Sequence, residues 1–239
     1  MPTIFDAIVD LKTKAKNRRD LERYDRAAAF VQEAIVLANK ELATPEFRAK
    51  MASELADCYG LLGGIERRSA LVASASEEHV ADHLRRSVKA YDEAWRYESG
   101  DFGVSSSYGM VNRLVTRVLA DPNALIEGYV TDLGEGIEPV AVPVELEEAR
   151  KKIESSKRAE SDYWAAADLA LVQLLLGKGN PAGLYSKYIE KSPPDYAYNS
   201  VLDVLRPLSD RDLAIKSDLQ DAVKLLSERL ARLQSAISG

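Results

Sequence analysis

Residues 24–42, YDRAAAFVQEAIVLANKEL, contain the pattern that decides the fold of this chain. Within this stretch apolar side chains recur every third or fourth position, which places them along one face of a helix. These side chains belong to Tyr24, Ala28, Val31, Ile35, Ala38 and Leu42. The same spacing recurs in almost every later window, whereas the alternation typical of a β-strand is scarce. We therefore predict an all-α protein.

Further helices follow from the same spacing. A stripe from Met51 to Val72 comes just after Thr44-Pro45, where the threonine is expected to cap the helix and the proline to fit its first turn. The helix at 161–176 is apolar nearly all round and should therefore be central. After these first two helices, further helices are predicted at 77–97, 108–120, 145–156, 161–176, 181–191, 195–208 and 212–235. The total is about nine or ten helices.

Two predicted helices share a pattern of the second helix in tetratricopeptide-type hairpins: a small residue, a large residue four positions later, and alanine three positions after that. It occurs at Ala27-Val31-Ala34 and again at Ser87-Tyr91-Ala94. The stretch from Trp164 to Pro193 is similar to one degenerate repeat. Because the repeats are unevenly spaced, we predict an irregular tetratricopeptide-like α-solenoid, with residues 1–239 as one domain. Such a solenoid exposes a concave groove suited to binding.

Residues 123–144 differ from the rest, because three glycines and two prolines interrupt them. Val140-Ala-Val is the only strand-like piece, and one turn of helix could form at 124–130. We therefore predict one long loop at 123–144. A connection of this length inside a compact domain is often functional.

The last predicted helix, 212–235, carries a strict four-three stripe of apolar side chains. The stripe is either the seam of a coiled-coil homodimer or the inner face of a helix that closes the end of the domain. The second interpretation is favoured, because about three heptads are short for a coiled coil. The stripe consists of Leu219, Val223, Leu226, Leu230, Leu233 and Ile237.

Composition excludes several classes of protein. With 32 Lys and Arg against 38 Asp and Glu, the formal net charge is −6, so no nucleic-acid-binding surface is expected. The longest uncharged apolar stretch, residues 169–177, is about half the length of a membrane span. A single cysteine, Cys58, precludes a disulfide framework and suits a reducing cytosol. The N-terminus does not have the pattern of a signal peptide, so we expect a cytoplasmic protein without membrane contact.

Three glycines fall inside a predicted helix, in the segment YGLLGGIERR at 59–68. Each costs about 1 kcal/mol relative to alanine, so their clustering needs a reason. One reason is close packing of another helix, since two of the glycines lie one turn apart. The other is that the backbone opens to admit a ligand, with two arginines just beyond to bind a phosphate or carboxylate. Replacing both arginines by alanine is then expected to remove ligand binding and to leave the melting temperature nearly unchanged. The candidates for this site are Gly63, Gly64, Arg67 and Arg68.

Tyr108 and Asn112 are four residues apart and share a helical face. Asn112 would be costly in an apolar core, whereas in a groove its amide can bind a base, a ribose or a peptide. Tyr108 fits either plain core packing or the groove. Arg113 and Arg117 fall on another face of the same helix and are expected to be solvated.

The predicted helix at 161–176 carries Tyr163 and Trp164 near its start, and Asp168 follows one turn after the tryptophan. An aromatic ring can stack on a base while a neighbouring carboxylate accepts from a ribose hydroxyl or a basic partner. The alternative is that Trp164 fills the core of the repeat and Asp168 pairs with an arginine. Four more tyrosines, which suit either a groove or a helix seam, are Tyr185, Tyr188, Tyr196 and Tyr198.

Catalytic and metal-binding patterns are scarce. His79 and His83 have the spacing of two zinc ligands on one helix, but the acidic residues around them favour a solvated polar face. Cys58 lies on an apolar stripe and is expected to be a buried structural thiol. Neither histidine is expected beside a plausible nucleophile, and no nucleophile elbow or dinucleotide motif occurs. We therefore predict no catalytic residues, no metal and no cofactor, and we do not expect an enzyme.

A succession of short motifs resembles one divergent family. In chain order the motifs are Leu55-Ala-Asp-Cys-Tyr-Gly-Leu-Leu-Gly-Gly-Ile-Glu-Arg-Arg, Ala90-Tyr-Asp-Glu-Ala, Ser107-Tyr-x₃-Asn112, Asp162-Tyr-Trp with Asp168, Gly177-Lys178 and Ser192-Pro-Pro-x-Tyr196. The ordered set is similar to the tetratricopeptide-like TRAFs-binding or TPR-S domain, found in apoptosis-signal-regulating kinases and in bacterial conflict-system proteins. The similarity covers residues 20–208.

The resemblance implies an all-α sensor or adaptor without catalysis of its own. In bacteria such domains accompany nucleotide-directed effectors and have been proposed to recognise a nucleotide, including one derived from NAD; in the kinases they serve regulation and partner binding. These 239 residues contain no kinase, TIR or phosphoesterase segment, and residues 123–144 have no counterpart in the family. Two functions therefore stay open: a sensor of a nucleotide-type ligand that acts with an effector protein, or a scaffold that holds a partner's helix or peptide. The residues expected at the ligand are Gly63, Gly64, Arg67, Arg68, Tyr108, Asn112, Tyr163, Trp164 and Asp168.

Overall fold

The computed structural model describes residues 3–72, 76–99, 106–156 and 158–238. Within these ranges the chain forms ten α-helices and no β-strand, which confirms the all-α prediction. None of the described helices is both long and apolar enough to cross a bilayer. The helices are α1 (Ile4–Asp20), α2 (Tyr24–Leu42), α3 (Arg48–Ala70), α4 (Glu77–Ser99), α5 (Tyr108–Ala120), α6 (Val142–Ser156), α7 (Tyr163–Leu175), α8 (Pro181–Glu190), α9 (Asp195–Ser209) and α10 (Lys216–Ser238).

The first helix, α1, is absent from the helices predicted from the sequence. Its start is a capping box, in which the Thr3 hydroxyl oxygen accepts from the Asp6 N–H (3.2 Å) and the Asp6 carboxylate accepts from the Thr3 N–H (2.8 Å). Only a narrow stripe of Ile8, Leu11 and Ala15 is buried. The helix packs against α2, so tertiary contact compensates for its weak apolar pattern.

Several helix starts differ from their predicted positions. The N-cap residue of α3 is Phe47, and no side chain caps the helix there. The prediction that Thr44 caps this helix is therefore wrong. Thr44 and Pro45 lie in the preceding turns, where the Thr44 carbonyl oxygen accepts from the Phe47 N–H across 3.1 Å. These turn bonds satisfy the backbone before the helix begins. Helix α6 starts three residues earlier than predicted, and α10 starts four residues later, at Lys216.

The chain divides into two compact units, residues 1–116 with 133–138 and residues 117–132 with 139–239. In the first unit α1 packs on α2, α2 on α3, and α3 on α4. Each of these helices thus contacts its neighbour in sequence, which is the packing of an α-solenoid. This arrangement confirms the solenoid-like fold that the repeats predict.

The tetratricopeptide-type positions of the first unit are all fully buried. A small residue at each first position lets the neighbouring helix approach closely. At one of them, the Ser87 hydroxyl donates across 2.8 Å to the backbone carbonyl oxygen of Gly63 on α3. The buried positions are Ala27, Val31, Ala34, Ser87, Tyr91 and Ala94.

In the second unit, α7 contacts α6 and α8, and side chains all around it are buried, as its apolar sequence predicts. Helix α10 packs on α8 and α9. Four side chains of α10, Leu219, Ala222, Leu226 and Leu230, are buried within the chain, whereas Leu233 is exposed. This packing supports the interpretation of α10 as a closing helix.

The predicted loop at 123–144 is partly structured. A 3₁₀ turn spans Pro122–Leu125, and α6 begins at Val142. Thr131 and Val140 form one antiparallel bridge, with N···O distances of 2.8 and 3.2 Å. The strand-like piece predicted at 140–142 therefore supplies a single bridge residue. Positive φ angles of 77°, 93° and 76° explain the three glycines of this segment, Gly128, Gly134 and Gly136.

Candidate functional site

The glycines of α3 make room for tyrosine rings. A Cβ on Gly60 would lie 2.8 Å from the Tyr108 ring, and one on Gly63 would lie 2.8 Å from the Tyr91 ring. Helix α3 continues without a break to Ala70, so the prediction that its backbone opens near the glycines is wrong. Close packing is the correct interpretation, and Tyr91, rather than a ligand, occupies the space at Gly63.

Arg67 lies beside the Tyr91 ring and is only 4% exposed. Its Nη1 donates to Oδ1 of Asn112 across 2.7 Å, and its guanidinium carbon lies 5.7 Å from the centre of the Tyr91 ring. The Asn112 amide nitrogen donates to the backbone oxygen of Tyr108 (2.9 Å). Among the described residues, no carboxylate lies within salt-bridge distance of Arg67. The partners of this buried cation are therefore neutral.

The burial of Arg67 changes one expectation from the sequence. Alanine at this position would leave a cavity and an amide oxygen of Asn112 without its donor. Its removal therefore costs stability, so loss of binding and loss of folding must be measured separately.

Polar ends of three side chains converge around Gly64. A Cβ there would lie 3.4 Å from the Tyr91 hydroxyl oxygen, 3.6 Å from Arg68 Nη1 and 3.8 Å from the Tyr108 hydroxyl oxygen. Tyr108 as a whole is 45% exposed, but its ring packs against Gly60 and its hydroxyl lies near Gly64. Burial raises the pKa of Tyr108 above its ordinary value, Tyr91 adds to the rise, and Arg67 opposes it. The Tyr108 hydroxyl thus stays protonated at neutral pH.

Arg113 and Arg117 are buried, so the prediction that they are solvated is wrong. Side chains from residue 109 to residue 119 of α5 are all buried, which leaves this part of the helix no solvated face. Arg113 Nη1 lies 3.7 Å from an Asp92 oxygen, and its guanidinium carbon lies 5.7 Å from the centre of the Trp95 ring. Long arginine stems can pack in such helix interfaces while the charged end finds a partner.

Three of the predicted ligand residues, Tyr163, Trp164 and Asp168, belong to the second unit. The Tyr163 and Trp164 rings lie 5.1 Å apart, and the hydroxyl oxygens of Tyr163 and Tyr196 are separated by 3.1 Å. Trp164 is 39% exposed, so it does not fill the core of a repeat. Asp168 is half-buried, and its charge helps to raise the pKa of Tyr185, for which burial is the main cause. We call Tyr163, Trp164 and Tyr196 the aromatic patch.

The other tyrosines of this unit form a helix seam. Tyr185, Tyr188 and Tyr198 are buried, whereas Tyr196 is exposed. The ring centres of Tyr185 and Tyr188 lie 6.4 Å apart, and those of Tyr188 and Tyr198 lie 5.2 Å apart, both edge to face. Such pairs stabilise packed helices beyond the area that they bury. These three tyrosines are therefore part of the core.

A buried polar group that the sequence does not reveal lies on α3 and α4. His83 Nδ1 is 2.6 Å from Glu66 Oε2, and His83 Nε2 is 3.3 Å from Ser69 Oγ. The solvated face predicted for the two histidines is wrong for His83, which is buried, although His79 is exposed. His83 also lies beside a serine hydroxyl, contrary to expectation. Glu66 and Ser69 share one face of α3, but only the packing of α4 places a histidine between them.

The single cysteine behaves as predicted. Cys58 is buried, and this burial raises the pKa of its thiol to about 12. The thiol is therefore protonated and weakly reactive at neutral pH. Among the described residues there is also no cluster of three or more histidine, cysteine or acidic side chains that could hold a metal ion.

No model of a known family matches the chain, and no curated protein matches it. The resemblance to the TRAFs-binding or TPR-S domain therefore stays a prediction carried by the motifs quoted above.

Proposed function

We propose that this chain is a tetratricopeptide-like sensor or adaptor that binds a nucleotide-type anion at the Arg67 cluster, defined as Arg67, Arg68, Tyr108 and Asn112. The observation that carries this proposal is the buried Arg67 cation, whose partners among the described residues are neutral. In this proposal the four side chains bind the ligand and do not transform it chemically.

Charge burial is the physical argument for an anion. A guanidinium stays ionised at all physiological pH values, and buried charges in proteins are ordinarily paired with an opposite charge. Arg67 is bonded to an amide oxygen and stands over an aromatic ring, which compensate only part of the lost hydration. A phosphate oxygen would supply the missing negative charge and accept the remaining guanidinium hydrogens.

The neighbours of Arg67 fit the rest of a nucleotide. Arg68 is half-buried and adds a second cation beside Gly64. Tyr108 is 45% exposed, and an exposed aromatic side chain can stack on a base. The family resemblance implies three further points, which we include in the proposal. The nucleotide is one derived from NAD, the partner is an effector protein, and the chain serves a bacterial stress or conflict response in the cytoplasm.

Calorimetric titration with ADP-ribose, NAD and ATP tests this proposal. We expect one of them to bind the wild-type chain and Arg68→Ala to weaken that binding about 10-fold or more, because a charge-assisted hydrogen bond contributes about 1.5–3 kcal/mol. Arg96→Ala is the matched control, since Arg96 is an exposed arginine of α4 that pairs with Glu93. Equal affinity in the Arg68→Ala and Arg96→Ala variants would contradict the proposal, as would the absence of binding to every nucleotide.

The aromatic patch favours a second function, a scaffold for a partner protein. Exposed tryptophan and tyrosine side chains are enriched among the residues that dominate protein–protein binding energy. Trp164 and Tyr196 are both exposed, and Tyr163 connects them. The alternative is therefore that the chain holds a partner's helix or peptide at this patch.

Trp164→Ala separates the two functions. If the chain is a scaffold, its co-purifying partner is lost in this variant and retained in Tyr129→Ala, which removes another exposed aromatic ring of the same unit. If the chain is a sensor that uses the Arg67 cluster, nucleotide affinity is the same in both variants.

A further inference from the structure

Three buried side chains of the first unit contact one another in series, and none of them belongs to the Arg67 cluster. Glu66 and Ser69 lie in the last turns of α3, and His83 lies on α4. His83 Nδ1 is 2.6 Å from Glu66 Oε2, and His83 Nε2 is 3.3 Å from Ser69 Oγ. Each of the three is at most 7% exposed. The order carboxylate, imidazole, hydroxyl is that of a nucleophilic triad, and such contacts are often loose before substrate binds.

The contact with Glu66 decides where the imidazole hydrogen lies. An ionised carboxylate only accepts hydrogen bonds, so Nδ1 of His83 carries the hydrogen and donates it. In the neutral ring Nε2 then accepts from the Ser69 hydroxyl. Arg86 Nε lies 3.4 Å from the same Glu66 oxygen and helps to orient the carboxylate. The side chain of His83 is thus placed as a base for Ser69.

Ser69 connects this buried group to a cleft. The cleft has a volume of about 880 Å³ and is also lined by Arg23, Arg26 and His79. Pockets of this size accommodate small organic molecules. The His79 ring centre lies 4.1 Å from that of His83, so the polar group continues to the cleft wall.

The surroundings of Ser69 favour an ester over an amide. Ser69 lies inside α3, where its backbone N–H bonds along the helix and is not available to an oxyanion. Arg23 and Arg26 line the cleft together with Glu22 and Asp25, and the oxyanion would take its hydrogen bonds from one of these two arginines instead. Esters release a less basic leaving group than amides do, so they need less stabilisation from the protein.

We propose that Ser69, His83 and Glu66 are a catalytic triad that hydrolyses a carboxylic ester bound in this cleft, an activity beyond the binding function proposed above. Ser69 Oγ attacks the ester carbonyl while His83 Nε2 takes the hydroxyl proton. The tetrahedral intermediate then collapses to an acyl-serine, and His83 gives the proton to the departing alcohol. Water attacks the acyl-serine, His83 takes a proton from it, and collapse releases the carboxylic acid as the proton returns to Ser69 Oγ. Glu66 stabilises the imidazolium in both steps.

A fluorophosphonate probe and p-nitrophenyl acetate test the triad in the full chain. We expect the probe to add covalently to Ser69, as located by peptide mass spectrometry, and p-nitrophenyl acetate to leave an acetyl group on the same residue. We expect Ser69→Ala and His83→Gln to lower the release of p-nitrophenol about 100-fold or more, the contribution of a general base and its nucleophile. Ser53→Ala removes an exposed serine of the same helix and should keep the wild-type rate.

Two results would overturn the proposal. One is unchanged p-nitrophenol release in a Ser69→Ala variant whose circular dichroism and melting curve show that it is folded. The other is a wild-type chain in which peptide mapping finds no adduct on Ser69. The second result needs no variant, so it decides the matter even where the substitutions prevent folding.

Discussion

The ring of Tyr91 fills the space that a side chain on Gly63 would need. A Cβ on Gly63 would lie 2.8 Å from two atoms of that ring, Cδ2 and Cε2. Tyr91 is fully buried there, and its hydroxyl reaches Gly64 one position further along α3. A glycine inside a helix costs about 1 kcal/mol relative to alanine, and burial of a large aromatic ring more than compensates for it.

Gly63→Ala is therefore expected to destabilise the chain by about 1–3 kcal/mol, because the added methyl group displaces the Tyr91 ring. Urea unfolding measures the change in free energy. Gly183→Ala in α8 is the matched control, since a Cβ there would lie 3.5 Å from its nearest neighbour, Asn180 Oδ1. The control should be neutral or slightly stabilising, and a similar gain for Gly63→Ala would contradict the packing described here.

The Arg67 cluster predicts an unusual response to apolar substitution. Replacing both partners of a buried hydrogen bond by well-packed apolar side chains can be nearly neutral or stabilising, and we expect this for Arg67→Met combined with Asn112→Leu. Asn112→Leu alone leaves the Arg67 cation without its amide acceptor and should destabilise the chain by about 1–3 kcal/mol. Urea unfolding of the two variants measures the change in the free energy of unfolding and so tests both expectations. A double variant less stable than Asn112→Leu alone would show that Arg67 serves the fold rather than a ligand.

Burial of Cys58 predicts slow reaction with thiol reagents. Because the pKa is raised to about 12, the thiolate is scarce at pH 8, and labelling should be at least about 100-fold slower than in urea-unfolded chain. The thiol stabilises the fold fully below its ordinary pKa of 9.0, and this contribution is lost as pH rises from 9.0 to about 12. Reaction with a chromogenic disulfide measures the rate, and Cys58→Ala gives the background. Rapid labelling of folded protein would contradict the burial.

The packing of α10 predicts different effects for two leucines of one stripe. Leu226→Ala should cost about 2–5 kcal/mol, because Leu226 is fully buried within the chain. Leu233→Ala should cost well under that, because Leu233 remains exposed. Thermal unfolding at several protein concentrations provides the measurement. If the stripe were a dimer seam, the melting temperature would rise with concentration and both leucines would matter.

Most helices can be predicted from the sequence because apolar periodicity is a local property. Helix α4, for example, begins at Glu77 as predicted and ends two residues beyond the predicted position. Helix boundaries set by turns cannot be predicted in this way, as the start of α3 at Arg48 shows. Helix α1 is missed because only three of its side chains are buried.

The candidate sites show the same contrast between features that are local in sequence and features that depend on packing. Arg67, Asn112 and Tyr108 are recognisable as polar or aromatic residues on helical faces, but the hydrogen bond that joins Arg67 to Asn112 spans 45 positions of the chain. The expected solvation of Arg113 and His83 is wrong because burial depends on neighbouring helices. No spacing within one helix could have shown that Ser69 lies beside His83.

By itself the sequence determined the all-α class, the order of nearly all helices and the buried thiol, since each depends on the residues of a single helix. Only the tertiary structure decided which glycines seat tyrosine rings, which arginine is buried with neutral partners, and which serine lies beside a histidine. These are contacts between helices, and they arise because side chains from distant positions must share the same interior volume at close-packed density.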